Sequence, residues 1–436
     1  MTRSLSAALV LSALLAACAG GGAATGTSPP VLGAGPGTAT PQATPTPAAT
    51  ATPSSAATPP LADSRLHVPS GFVANVVANV GGARELAALP NGDLLVATSG
   101  STISIVANAD GPGIAGNAAT FASLPDSPAQ GVAFGSGFVF VATQYGVYRS
   151  AYTTGMTSAT FTKIASVRTG SVAPNSDGDV HTTSSVAVTG STLYVGVGSS
   201  CNACTETDPT RATVQRMNLD GSGMTTQATR IRNAIALATD PATGNVWAGG
   251  AGQDDLPSGH PYEFLDPVST RTAPADYGWP ACEENHIAYT NGANCTNTVA
   301  PALEFPAYST LIGPAFYPAA QTGSYLFPAA WRGGVFVSGH GSWHAASNGI
   351  PIDAPHVAFV PFSGAAPARA VNWSDPTAQW NDFFTGFQQS DGSRIGRTTG
   401  VAVGPNGSLF VADDQTGNIY RIRPAGSTGA AVRRTH

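Results

Sequence analysis

RIRNAIALATDPATGNVWAGGAGQDD, residues 230–255, holds in one passage the unit from which the rest of the chain is built. Arg232-Asn233 stands before an apolar run at 235–238. A turn at 240–244 leads to a second run at 246–248, and a Gly-rich, acidic turn at 249–255 follows. Apolar runs this short, bounded by turn residues, predict a strand, a turn and a strand. A guanidinium and an amide beside a buried strand are costly unless something anionic or polar meets them. The mouth of the first strand therefore predicts a ligand.

The unit recurs. Its second run reappears as Leu94-Leu95-Val96-Ala97, Val139-Phe140-Val141-Ala142, Leu193-Tyr194-Val195-Gly196, Val246-Trp247-Ala248-Gly249, Val335-Phe336-Val337-Ser338 and Leu409-Phe410-Val411-Ala412. Six such runs, roughly 45 to 90 residues apart, predict an all-β chain folded as a six-bladed β-propeller, with insertions in blades four and five. The composition agrees: 51 Gly, 34 Pro and 10% charged residues suit many short strands joined by turns. A net charge of −6 with a single lysine, Lys163, argues against nucleic acid as a partner. Any basic site must be built from arginine.

The repeat also aligns polar residues. Arg84, Gln130, His181, Arg232-Asn233 and Arg397 each stand at the opening of a first run. In a propeller that strand is innermost, so these residues are expected to converge on one end of the central channel. Each alone also has a packing reading, as an arginine closing on a carbonyl or a satisfied core histidine. The set predicts a site.

Before the propeller, residues 1–18 combine Arg3, a short Ala/Leu-rich apolar run and the tetrad Leu15-Ala16-Ala17-Cys18. The run is short for a membrane span and suits an export signal. The tetrad resembles a bacterial lipobox, which makes Cys18 the expected lipidation site and the cell envelope, on its periplasmic or surface side, the expected location. An ordinary secretory signal is the alternative. Residues 19–62, rich in Pro, Thr and Ala, read as a disordered tether, residues 63–425 as the propeller and 426–436 as a flexible tail. Four further cysteines suit an oxidising compartment; pairing Cys201 with Cys204 and Cys282 with Cys295 is the simplest of three connectivities. Thr205 follows Cys204 where a c-type haem site needs histidine. His340 and His344, four apart but after a strand run, do not read as a zinc pair.

Several passages, in order, resemble the glucose/sorbosone dehydrogenase family, the propellers that use pyrroloquinoline quinone (PQQ), and most closely its sorbosone and pyranose dehydrogenase branch. They are HVPSGFVANVVANVGGARELAALPNGDLLVA, similar to the family's first blade, GDVHTTSSVAV with GSSCNAC, RIRNAIALATDP, YGWPAC, HGSW at 340–343, and GRTTGVAVGPNGSLFVADD. The resemblance covers residues 66–424. It implies an exported PQQ-dependent dehydrogenase of an aldose or related sugar aldehyde, passing electrons to an external quinone or cytochrome.

The resemblance also implies roles. His181 is the expected general base for the anomeric hydroxyl, a task that suits imidazole. Arg232, Asn233 and Arg397 are the expected PQQ-binding residues, since guanidinium forks match the cofactor's carboxylates. Ca²⁺ is the expected second cofactor, held near Gly252, Gln253 and Asp254. Tyr277, Trp279 and Trp343 are candidate stacking surfaces for sugar, packing between blades being their other reading. The chain departs from the family pattern at Ala251, where an Asn is usual, at Gln253 for Arg, at His344-Ala345 for Asn-Arg and at Thr398 for Pro. Arg84, His340 and His344 are the candidate replacement cations. The departures leave a second reading open: a propeller without PQQ, acting as a carbohydrate- or envelope-binding lipoprotein.

Overall fold

The computed structural model describes residues 58–168, 181–256, 259–344 and 352–427. The expected signal with Cys18, nearly all of the tether, Ala345 and nearly all of the tail lie outside the described residues. Regular structure among the described residues is β, apart from two 3-10 turns at Val268–Thr270 and Ala329–Trp331.

Six principal sheets form the blades of an all-β, six-bladed propeller. The six repeated runs are their second strands: Leu94–Thr98, Phe138–Ala142, Thr192–Val197, Val246–Ala251, Gly334–Gly339 and Leu409–Asp413. A second strand is paired on both edges and covered on both faces by neighbouring blades. Alternation is therefore lost and the run becomes continuously apolar. Leu94, Leu95, Val96 and Ala97 are all fully buried. Trp247 of the fourth blade packs edge-on against Phe362 of the fifth, tying the two together.

The innermost strands are Ala83–Ala88, Gly131–Gly135, Ser184–Thr189, Asn233–Thr239, Leu311–Tyr317 and Thr398–Val403. They surround one axial channel. Crowding at the axis demands small residues: a Cβ on Gly313 would lie 2.5 Å from the Thr399 carbonyl oxygen. Four of the six carry a register shift near their first residues, between Ala83 and Leu86, Asn233 and Ala236, Leu311 and Pro314, and Thr398 and Val401. Bulges of this kind bend a strand and re-aim its side chains. Here they cluster where the polar residues begin.

Two sequence expectations need correction. The HVPSGF passage is not one blade. Phe72–Asn79 pairs antiparallel with Asn418–Pro424 and closes the sixth blade, while Ala83–Ala88 opens the first. The folded part also starts earlier than residue 63, because Leu61 bridges Asn75 and the Asn75 amide donates to the Pro59 carbonyl at 3.0 Å. The insertions do fall in blades four and five. In the fourth, residues 267–302 separate Glu263–Asp266 from Leu303–Phe305 and send Ala275–Asp276 to pair parallel with Thr225–Thr229 of the third.

Candidate active site

Where the innermost strands open, a cavity of about 360 Å³ is lined by His181, Arg232, Asn233, Thr310 and Arg397, from the mouths of blades three to six. Strand ends add Ala251 and Glu263, and loops add Asn202, Gly252, Asp254, Tyr308, His340 and Trp343. The volume is in the range of small-molecule sites.

His181 is 9% exposed, and its Nδ1 lies 3.0 Å from the Ser199 carbonyl oxygen and 2.9 Å from Ser199 Oγ. A carbonyl can only accept, so Nδ1 carries the proton and Nε2 is left with the lone pair. Burial holds the imidazole well below its usual pKa. The Arg232 charge adds to this, and the Ser199 hydrogen bond opposes it. The ring is a neutral base.

Arg232 stands immediately before the bulged strand Asn233–Thr239 of the fourth blade and is buried. Its Nε donates to the Asn202 carbonyl at 3.2 Å, one terminal nitrogen to the Gly252 carbonyl at 2.6 Å, and the other to Asp254 Oδ2 at 2.6 Å. Next to it, the buried Asn233 Oδ1 has no partner among the described residues, an acceptor left for an N–H or O–H of a bound molecule. Arg397 donates to the carbonyls of His340 and Gly341 at 3.2 and 2.9 Å. Burial, with Arg394 nearby, brings its pKa down to about 10, so it remains charged at neutral pH. Burial likewise brings His340 down to about 4 although Asp414 accepts from it at 3.0 Å. Glu263 is pushed well above the carboxylate range by burial. Among the described residues the cavity wall thus carries two guanidiniums, while burial disfavours the charged form of Glu263. Guanidiniums directed into one cavity suit an anionic ligand.

Other expected residues fall elsewhere. Arg84 does not line the cavity, because its guanidinium is engaged by Asp414 at 2.6 Å and Gln130 at 3.0 Å. It stands behind His340, on the same carboxylate. Tyr277 and Trp279 are 3% and 2% exposed. Tyr277 stacks on Phe264 and donates to Asp266 at 2.5 Å, while Trp279 packs on the Cys201–Cys204 turn and donates to the Asn202 carbonyl at 3.0 Å. For both, packing replaces the sugar-stacking expectation. Trp343 is different: it is 65% exposed, lines the cavity and anchors its Nε1–H on Asp254 Oδ1 at 3.3 Å. His344 meets Tyr308 edge-on and lies in a neighbouring cleft. The disulfides Cys201–Cys204 and Cys282–Cys295 are formed as expected.

The donor set expected for Ca²⁺ does not fit. The ion needs about six to eight oxygens, yet the Gly252 carbonyl and the Asp254 carboxylate are both bound to the Arg232 guanidinium. Gln253 does not line the cavity. An anionic quinone would meet the Arg232 and Arg397 guanidiniums and the open acceptor of Asn233.

Asn202, Glu263, Tyr308 and Thr310 went unforeseen. Asn202 had a signal, its place between two cysteines. Glu263 opens the strand Glu263–Asp266, and Tyr308 and Thr310 sit on the loop before Leu311–Tyr317, with positive φ of 68° and 51°; the approach of all three depends on long-range packing.

Known proteins share this architecture. The TrAA12-like family model matches residues 269–425. The PQQ domain of pyranose dehydrogenase from Coprinopsis cinerea, in its holo form, superposes with a TM-score of 0.67 at 16% identity, over 82% of this chain and 97% of that one. A calcium structure of a Trichoderma reesei enzyme of carbohydrate-active family AA12 gives 0.65 at 18% identity, over 85% and 98%. The PQQ-bound aldose sugar dehydrogenase of Streptomyces coelicolor gives 0.54 at 18%, over 82% and 99%. An uncharacterised protein of Borreliella burgdorferi is 23% identical over 236 residues, 53% of this chain; the match spans only 56% of that relative's length.

Proposed function

With residues 269–425 matching the TrAA12-like family and the whole propeller sharing the fold of PQQ-dependent sugar dehydrogenases, we propose that this chain is a PQQ-dependent dehydrogenase. Its substrate is an aldose or related sugar aldehyde in its hemiacetal form. The observation that carries the reading is a neutral His181 on the same cavity wall as two guanidiniums.

Arg232 and Arg397 would hold the cofactor's carboxylates and Asn233 Oδ1 would accept from a bound N–H or O–H. PQQ, when bound, would supply the two-electron oxidant that accepts the hydride of the anomeric carbon. His181 Nε2 takes the proton of the anomeric hydroxyl, and Nδ1–H remains fixed on Ser199 so that the charged ring stays oriented. The exposed indole of Trp343 offers a face on which a pyranose stacks. An external quinone or cytochrome would serve as the electron acceptor. Cys18 would anchor the protein to the envelope through lipid.

The test is to incubate the purified protein with PQQ and follow quinone absorbance, then reduction of an artificial acceptor dye by aldoses. Uptake and sugar-dependent reduction are expected, with His181→Ala keeping the cofactor and losing turnover. No uptake at micromolar PQQ would sink the enzyme. It would favour the envelope-binding propeller, to which the engagement of Arg232 by Asp254 already lends some support.

A further inference from the structure

We propose that Asn202, held in the Cys201–Cys204 turn, is the positioning residue of the site and sets the cofactor-binding Arg232 and the 252–254 backbone in register with His181. Its side chain pairs twice with one backbone unit. Oδ1 accepts from the Asp254 N–H at 2.9 Å, and Nδ2 donates to the Asp254 carbonyl at 3.1 Å. Its own carbonyl accepts from Arg232 Nε at 3.2 Å and from Trp279 Nε1 at 3.0 Å. One residue thus grips both members of the Arg232–Asp254 ion pair.

On the other side of the turn, Ser199 Oγ donates to the Cys201 carbonyl at 2.6 Å and lies 2.9 Å from His181 Nδ1. The turn therefore joins the base to the cation. The disulfide and the buried Trp279 ring against it hold its backbone in place. Partners one step removed from a ligand fix the orientation of the groups that touch it; at metal sites losing one costs about 10–100-fold in affinity or activity, and an effect of that order is expected here. That Arg232 receives a quinone rests on the function proposed above; the hydrogen bonds do not.

The test compares wild type with Asn202→Ala and Asn202→Asp. The alanine variant keeps the carbonyl contacts to Arg232 and Trp279 and loses only the pairing with Asp254. The aspartate variant keeps the acceptor and loses the donor. In quinone-free protein, hydrogen exchange at the Asp254 amide should be about tenfold faster in Asn202→Ala, with strands Ser184–Thr189 and Asn233–Thr239 unchanged. In titrations with PQQ the dissociation constant should rise about tenfold or more, far more than kcat at saturating PQQ falls, with Asn202→Asp in between. Unchanged exchange at Asp254 overturns the proposal. So does exchange that quickens across all blades, or a loss confined to kcat. If wild type takes up no PQQ, the proposed function fails, and the exchange result alone decides the role of Asn202.

Discussion

Arg232 and Asp254 meet at 2.6 Å, the arginine side chain 6% exposed and the acid 25%. This pair is the electrostatic centre of the cavity, because the same guanidinium lowers the proton affinity of His181. Arg232→Ala would remove a charge-assisted partner of the cofactor and leave Asp254 repelling it. The dissociation constant for PQQ is expected to rise on the order of a hundredfold, about 3 kcal/mol. Arg232→Lys should recover little of it, since an ammonium cannot reproduce the three-way fork. Titration by quinone absorbance is the check, and a lysine variant with wild-type affinity would contradict it.

Binding of PQQ by this chain is expected not to depend on a divalent metal. With the Gly252 carbonyl and the Asp254 carboxylate on a guanidinium, a divalent cation placed there would face a like charge. Chelator is therefore expected to leave the PQQ dissociation constant within about twofold of its value in added Ca²⁺. Binding that appears only with Ca²⁺ would show that Arg232 gives way to the ion.

Much of the fold could be read because the six second strands are buried on both faces, so their continuous apolar runs, such as Val139-Phe140-Val141-Ala142, stand out against Gly-rich turns. The site was partly readable for a related reason: Arg232 and Arg397 occupy equivalent places in the repeat and reach one cavity. Arg84 holds the same place but finds Asp414, a partner 330 residues away, first. Phe72–Asn79 could not be assigned to the sixth blade from local pattern, since strand closure is a long-range pairing. Tyr277 and Trp279 misled because aromatic rings suit packing and sugar stacking equally.

The acid side of the rate profile should report His181. Its pKa is held well below the ordinary 6.5 by burial and Arg232, so the base stays unprotonated as pH falls through the usual histidine range. kcat/KM for a sugar is expected to be flat from neutral pH down past that range. Arg232→Ala, by removing one of the depressing charges, should move the acid limb upward. A wild-type limb at or above the ordinary histidine value would mean that another group is the base.

Stability should run the other way, through Glu85. This side chain lies on the axial channel, accepts a hydrogen bond from Ser185 and is pushed by burial up to about 8 from an ordinary 4.5. Between those values the folded protein holds a proton that the unfolded chain has released. The stabilisation is full below the unfolded value and is lost as pH rises through the folded one. Glu283 and Glu284, raised by burial to about 8 as well, add to the same loss. His181 and His340, lowered by burial, have the opposite sign and weaken the fold as pH falls below the histidine range. Glu85→Gln mimics the protonated acid, so it should match wild type at about pH 4 and exceed it at about pH 8.5 by a few kcal/mol. Thermal melts of both proteins at the two pH values measure this, and parallel melting curves for the two would remove Glu85 as the source.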